Sequence, residues 1–190
     1  MVKDKELIEA ELGLRWIGHM IVFAMVCYFA YRHLNKTSYF STLDYAMLPF
    51  HEAGHFIFGI FGQTPGVAGG TIVQFFMPLA FAVYFGWWKK EYFASLVAAF
   101  WFSQTLLNIA VYMMDARKMI RPVFASTDDY IHDWNYLFGK MHKLHRADII
   151  GEKVEFLGRF GIWICLIGMV VWLVRTSPFW PRDDKREDSL

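Results

Sequence analysis

Five apolar segments, at 16–31, 45–62, 66–88, 92–114 and 156–174, take up most of this 190-residue chain. A bilayer core about 30 Å thick needs roughly 20 apolar residues per helical crossing, and each segment is near that length. An open strand cannot satisfy its own backbone in lipid, so every segment is a helix candidate. With 56% hydrophobic and 19% aromatic residues, the chain is too apolar for an ordinary soluble domain. The expected fold is therefore all-α: one polytopic transmembrane helical bundle over residues 1–190, with about five transmembrane helices and one long polar loop.

The polar segments complete this plan. Residues 1–15 mix Lys3, Lys5 and Arg15 with Asp4, Glu6, Glu9 and Glu11. A cleaved signal peptide would place a basic stretch directly before its apolar core, so an amphipathic N-terminal helix leading into an uncleaved first span is expected. The extramembrane loop, 115–155, carries Asp128, Asp129, His132, Asp133, His142, His145 and Asp148, and 175–190 form a charged tail. The connector Gln63-Thr64-Pro65-Gly66 is short enough to demand a tight hairpin, and Gly69-Gly70 permits close backbone approach beyond it. Trp87, Trp88, Lys89 and Lys90 form one interfacial anchor, and Arg175, Phe179 and Trp180 another. A slight Lys/Arg excess on the N-terminal side leans the long loop towards the cytoplasm. The expected setting is a multi-pass protein of the bacterial inner membrane.

A formal net charge of +1 with no basic stripe argues against nucleic acid as a partner. Cys27 and Cys165 lie far apart in apolar stretches and make neither a CxxC motif nor a disulfide framework.

The second apolar segment contains His51-Glu52-Ala53-Gly54-His55. Residues four apart share a helix face, so His51 and His55 can offer two imidazoles to one ion while Glu52 projects beside it. The spacing suits Zn2+, although His and carboxylate ligands also suit other divalent transition metals. A metal at such a site lowers the pKa of a water and polarises a carbonyl, and Glu52 would be the general base. Accidental spacing between two core histidines is the alternative. It leaves unexplained a carboxylate whose placement at mid-membrane costs on the order of 3 kcal/mol. Small Ala53 and Gly54 let a neighbouring helix approach, and Pro49 can start or kink the helix one turn earlier.

Two histidines leave a zinc site short of a protein ligand. Asp115, at the end of the fourth segment, is the first candidate, because the second and fourth segments would run parallel and bring it to the same end. Its alternative is an ordinary helix-end carboxylate near Arg117 and Lys118. His132 and Asp133 are the rivals, if the long loop folds back. Gln74 and Asn108, polar groups inside the third and fourth segments, would support the ligands, contact substrate, or simply bond helix to helix. His19 and His33 flank the first span, and His142 and His145 lie among basic residues.

The pattern of His51-Glu52-Ala53-Gly54-His55, followed two spans later by Leu107-Asn108-Ile109-Ala110-Val111-Tyr112-Met113-Met114-Asp115, resembles the site-2 protease group of intramembrane zinc metallopeptidases. That group's second motif is proline-rich and ends in Asp-Gly, whereas here no proline intervenes and Ala116 follows the aspartate. The resemblance covers roughly residues 45–118. It implies a membrane peptidase with His51, His55 and Asp115 as ligands and Glu52 as base, acting on a peptide bond in or near the bilayer. A second expectation is a non-catalytic, metal-binding accessory subunit of a larger membrane complex. A third, haem ligation, would need a partner such as His19, because two histidines on one helix cannot take opposite haem faces.

Overall fold

The computed structural model describes residues 2–35, 40–120 and 131–178, with side chains from residue 11 onward. Every regular element among them is helical, and the chain is an all-α bundle. Helix α1 (Val2–Asn35) runs unbroken from the expected amphipathic lead through the first span. Helices α2 (Thr42–Gly59) and α3 (Gln63–Val83) form the hairpin, and α3 runs on as a π-helical stretch over Tyr84–Lys89. Helix α4 (Tyr92–Asp115) follows, then the short α5 (Asp133–Lys140) and α6 (Ala147–Thr176). The charged tail beyond residue 178 and the acidic pair Asp128 and Asp129 lie outside the described residues.

Four helical stretches are long and apolar enough to cross a membrane: Glu11–Asn35, Gln63–Lys89, Tyr92–Asp115 and Leu144–Thr176. The second expected crossing is not among them. Helix α2 has 18 residues, of which Asp44, His51, Glu52 and His55 dilute its hydropathy. It also starts deep inside the bundle. Its first turn is closed by a capping box in which Ser41 N donates to Asp44 Oδ2 at 2.6 Å, and the same carboxylate accepts from Gln104 Nε2. Gln104 lies 11 residues before the end of α4, about 16 Å at 1.5 Å per residue, so α2 begins near mid-bundle and climbs to one end only. The long loop is also partly helical: α5 occupies part of it, and α6 starts at Ala147, well before the expected 156.

Lipid offers helices no hydrophobic reason to associate, so close van der Waals contact must do it, and small residues permit that contact. Helices α4 and α6 run antiparallel along a stripe of α6 glycines. Gly158 abuts Leu107 and Ser103, Gly161 abuts Ser103, and Gly168 abuts Leu96. Helix α1 lies antiparallel to α6, tied by Trp16 Nε1 donating to the Leu173 carbonyl at 3.1 Å and Arg159 Nη1 to the Leu34 carbonyl at 2.9 Å. Phe93, Phe100, Ile162 and Met169 fill the core among these three helices. At the far end of α3, Trp87 and Trp88 are exposed, and Lys90 Nζ sits 5.2 Å from the Trp87 ring centroid.

The hairpin is tighter. Gly62, at φ 109°, makes the turn in a conformation open mainly to glycine. Gly54 and Gly69 then cross with backbone against backbone: a Cβ on either would run into the other's carbonyl.

Candidate metal centre

The α2–α3 crossing places His51 and His55 against α3 where Gly70 leaves room for their rings. A Cβ on Gly70 would lie 2.6 Å from His55 Nε2 and 2.7 Å from His51 Nε2. Each imidazole is oriented through its other nitrogen. His55 Nδ1 lies 2.9 Å from the Gly66 carbonyl, so it donates there, and His51 Nδ1 lies 3.1 Å from Gln74 Oε1. Both Nε2 atoms are thereby turned to one point.

The third group at that point comes from α5. Asp133 Oδ2 is 3.2 Å from His51 Nε2 and 3.5 Å from His55 Nε2. One ligand atom from each of the three lies within 4.8 Å of the others, an arrangement that could hold a metal ion. The donor set of two imidazoles and a carboxylate suits a divalent transition metal.

Helix α5 is strapped across the end of the bundle, which explains how a residue 78 positions after His55 arrives there. Asn135 Nδ2 donates to the Ala116 carbonyl at 2.8 Å, tying α5 to the end of α4. Thr64 at the start of α3 bonds the Tyr136 hydroxyl at 3.1 Å and accepts from Lys140 Nζ. Phe138 is buried against Ile109, Met113 and Ala147. These contacts deliver Asp133, the first residue of α5, with only 5% of its surface exposed.

Asp115, the first sequence candidate for the third ligand, does not join the group. Its Oδ1 accepts from Ile120 N at 3.2 Å, and its Oδ2 is 3.5 Å from His132 Nε2. His132 is likewise engaged elsewhere, because its Nδ1 caps α5 by accepting from Asn135 N at 3.2 Å. The proton therefore sits on Nε2, facing Asp115. Burial lowers the His132 pKa, against the upward pull of the Asp115 and Asp133 carboxylates. Asp115 thus steadies His132, the cap on which the position of Asp133 depends. The Tyr112 ring lies between, 4.3 Å from the His132 ring and 6.5 Å from that of His51.

Gln74 bonds His51 as above, and its Nε2 donates to Asn108 Oδ1 at 3.1 Å, so Gln74 supports the site directly and Asn108 through it. Glu52, the residue after His51, is exposed, with no hydrogen bond or ion pair among the described residues. His19 packs against Phe93 and Trp172, each with ring centroids 4.7 Å away. That is the opposite end of α4, too remote to share a haem with His51 or His55. Residue pattern alone assigned no site role to Gly66, whose carbonyl orients His55, or to Tyr112. Asp44 was also missed, although Ser41-Thr42-Leu43-Asp44 is a capping-box spacing before an apolar run.

No family model, curated protein or solved structure matches this chain.

Proposed function

We propose that this protein is a multi-pass membrane metallopeptidase, with His51, His55 and Asp133 holding a Zn2+ ion and Glu52 as general base, which cleaves a peptide bond in or near the bilayer. The observation that carries the proposal is the pairing of a three-ligand group with an untethered Glu52 on the next residue. Three protein ligands leave a coordination position open, which distinguishes catalytic from closed structural zinc sites. The chemistry agrees with the resemblance to site-2 proteases, with Asp133 in place of Asp115 as the carboxylate ligand.

When bound, the ion would supply Lewis acidity for the scissile carbonyl and lower the pKa of the attacking water. The chain's own groups do the rest. Gly66 and Gln74 keep both Nε2 atoms bare and aimed inward by holding the Nδ1 protons. Glu52 takes the proton from water as it attacks and returns one to the departing amine. Gly70 keeps the space beside the imidazoles clear.

The test combines metal content with turnover, using purified full-length protein and casein as a generic substrate read by mass spectrometry. Wild type is expected to carry about one zinc per chain and to cleave. His55→Ala should lose both, while Glu52→Gln should keep the metal and lose cleavage. Metal retained with no cleavage by wild type would favour an accessory subunit, and no metal in wild type would overturn the centre itself.

A further inference from the structure

Helix α2 fills only one half of the bundle. The other half, away from the metal centre, holds a groove of about 870 Å3 that no described element covers. One wall is a single face of α1, from Arg15 through Gly18 and Val22 to Phe29, and the facing wall includes Phe85 of the π-helical stretch with Val97 and Trp101 of α4. Leu43, in the first turn of α2, lines the inner end. Met25 and Phe81 are exposed along the groove, so it opens sideways out of the bundle.

Depth limits what can lie there. Eight residues of α4 separate Phe93 at the outer end from Trp101, about 12 Å of helix, close to half of a hydrocarbon core about 30 Å thick. A spanning partner helix needs the whole thickness and would meet the start of α2 halfway. An acyl chain entering from one leaflet needs only this half, and the walls that would face it are almost wholly apolar.

Charge at the outer end narrows the occupant further. His19 Nδ1 donates to the Arg15 carbonyl at 2.7 Å, but the Arg15 guanidinium has five N–H donors and places one on Glu11 Oε1, at 2.8 Å. An exposed pair at this spacing is weak, so both groups stay open to other partners. Glu11 lies one helical turn farther out than Arg15, on the same face. A cation beside the groove and an anion beyond it complement a phosphate followed by an ammonium. We infer that the groove binds a phospholipid with an amine headgroup: one acyl chain lies between α1 and α4, the phosphate on Arg15 and the ammonium on Glu11. The inference is independent of the metal centre.

Gly18 provides the way to close the groove. A Cβ on it meets nothing within 4 Å, so a phenylalanine there enters the space the acyl chain would fill. Phenylalanine is also preferred to glycine inside a helix, so α1 should still form.

The experiment uses full-length protein, stripped of lipid in detergent and titrated with phosphatidylethanolamine or phosphatidylglycerol. Bound lipid is counted by native mass spectrometry, and folding is followed by thermal melts. Wild type should hold one phosphatidylethanolamine about 10-fold more tightly than phosphatidylglycerol, which offers Glu11 no cation; one charge-assisted contact is worth about that factor. Arg15→Gln should weaken binding of both lipids about 10-fold, and Glu11→Gln should erase the preference between them. Gly18→Phe should lose the tight site for both without a lowered melting midpoint. Tight lipid on a folded Gly18→Phe, indifference to Arg15→Gln, or pairing of two chains in place of a bound lipid overturns the inference.

If Gly18→Phe does not fold, tryptophan fluorescence with phosphatidylethanolamine brominated at mid-chain tests the same site. The Trp101 signal is taken as the difference between wild type and Trp101→Phe, a change that gives up no hydrogen bond because Trp101 Nε1 has no partner. One lipid per chain should quench that signal, and plain phosphatidylethanolamine should restore it. A Trp101 signal that stays unquenched overturns the inference.

Discussion

At the α2–α3 crossing glycine lies against backbone and imidazole, whereas along the α4–α6 crossing it mostly faces the ends of side chains. Both crossings use the same residue to bring two helices together in lipid. A Cβ on Gly70 would collide with two ring nitrogens that are already fixed by the Gly66 carbonyl and Gln74, and cannot retreat. A Cβ on Gly168 would meet Leu96 Cδ2, at 2.8 Å, which can turn aside. Glycine at the first crossing makes a site. At the second it makes a scaffold.

The sharpest way to break this contrast is Gly70→Ala. It should lower metal affinity by at least about 100-fold while leaving the helix intact, because alanine in a helix interior is favoured over glycine by about 1 kcal/mol. Co2+ titration beside circular dichroism would check both halves. Gly54→Ala comes next. Its Cβ meets the Gly69 carbonyl, so α2 should be forced off α3 at a cost of about 1–3 kcal/mol, typical of overpacking, with metal affinity falling in parallel. Thermal melts would show a lowered midpoint.

Asp115→Ala should have a smaller effect on affinity, about 10-fold, because it acts one step removed: it frees His132, loosens the cap of α5 and so blurs the position of Asp133. A complete loss of metal in that variant would instead restore Asp115 as a ligand. Gly168→Ala should change stability by no more than about 1 kcal/mol and leave metal binding at the wild-type value. Any drop in metal affinity there would show that the two crossings are coupled.

Much of this was legible in the residues. Lengths and hydropathy imposed an all-helical bundle, since lipid forbids unsatisfied backbone, and the end of the fourth segment was placed within a residue. The hairpin and the close approach at Gly69-Gly70 followed from a four-residue connector and two adjacent glycines. The number of crossings did not follow, because hydropathy reads composition and not depth. Only the Asp44–Gln104 contact shows that α2 starts near mid-bundle.

His51, Glu52 and His55 announced themselves because their relation is local: one helix turn relates them whatever the rest of the chain does. The choice between Asp115 and Asp133 was never local. It turned on whether α5 lies over the end of α3 or away from it, and that is settled by Asn135 on the Ala116 carbonyl, Tyr136 and Lys140 on Thr64, and Phe138 in its buried place. The sequence by itself determined the helices and the pair of imidazoles, because helix periodicity and the demands of lipid act over a few residues. Tertiary structure alone decided which carboxylate completes the group and which amides orient it, because those contacts join segments whose separation in the chain carries no distance information.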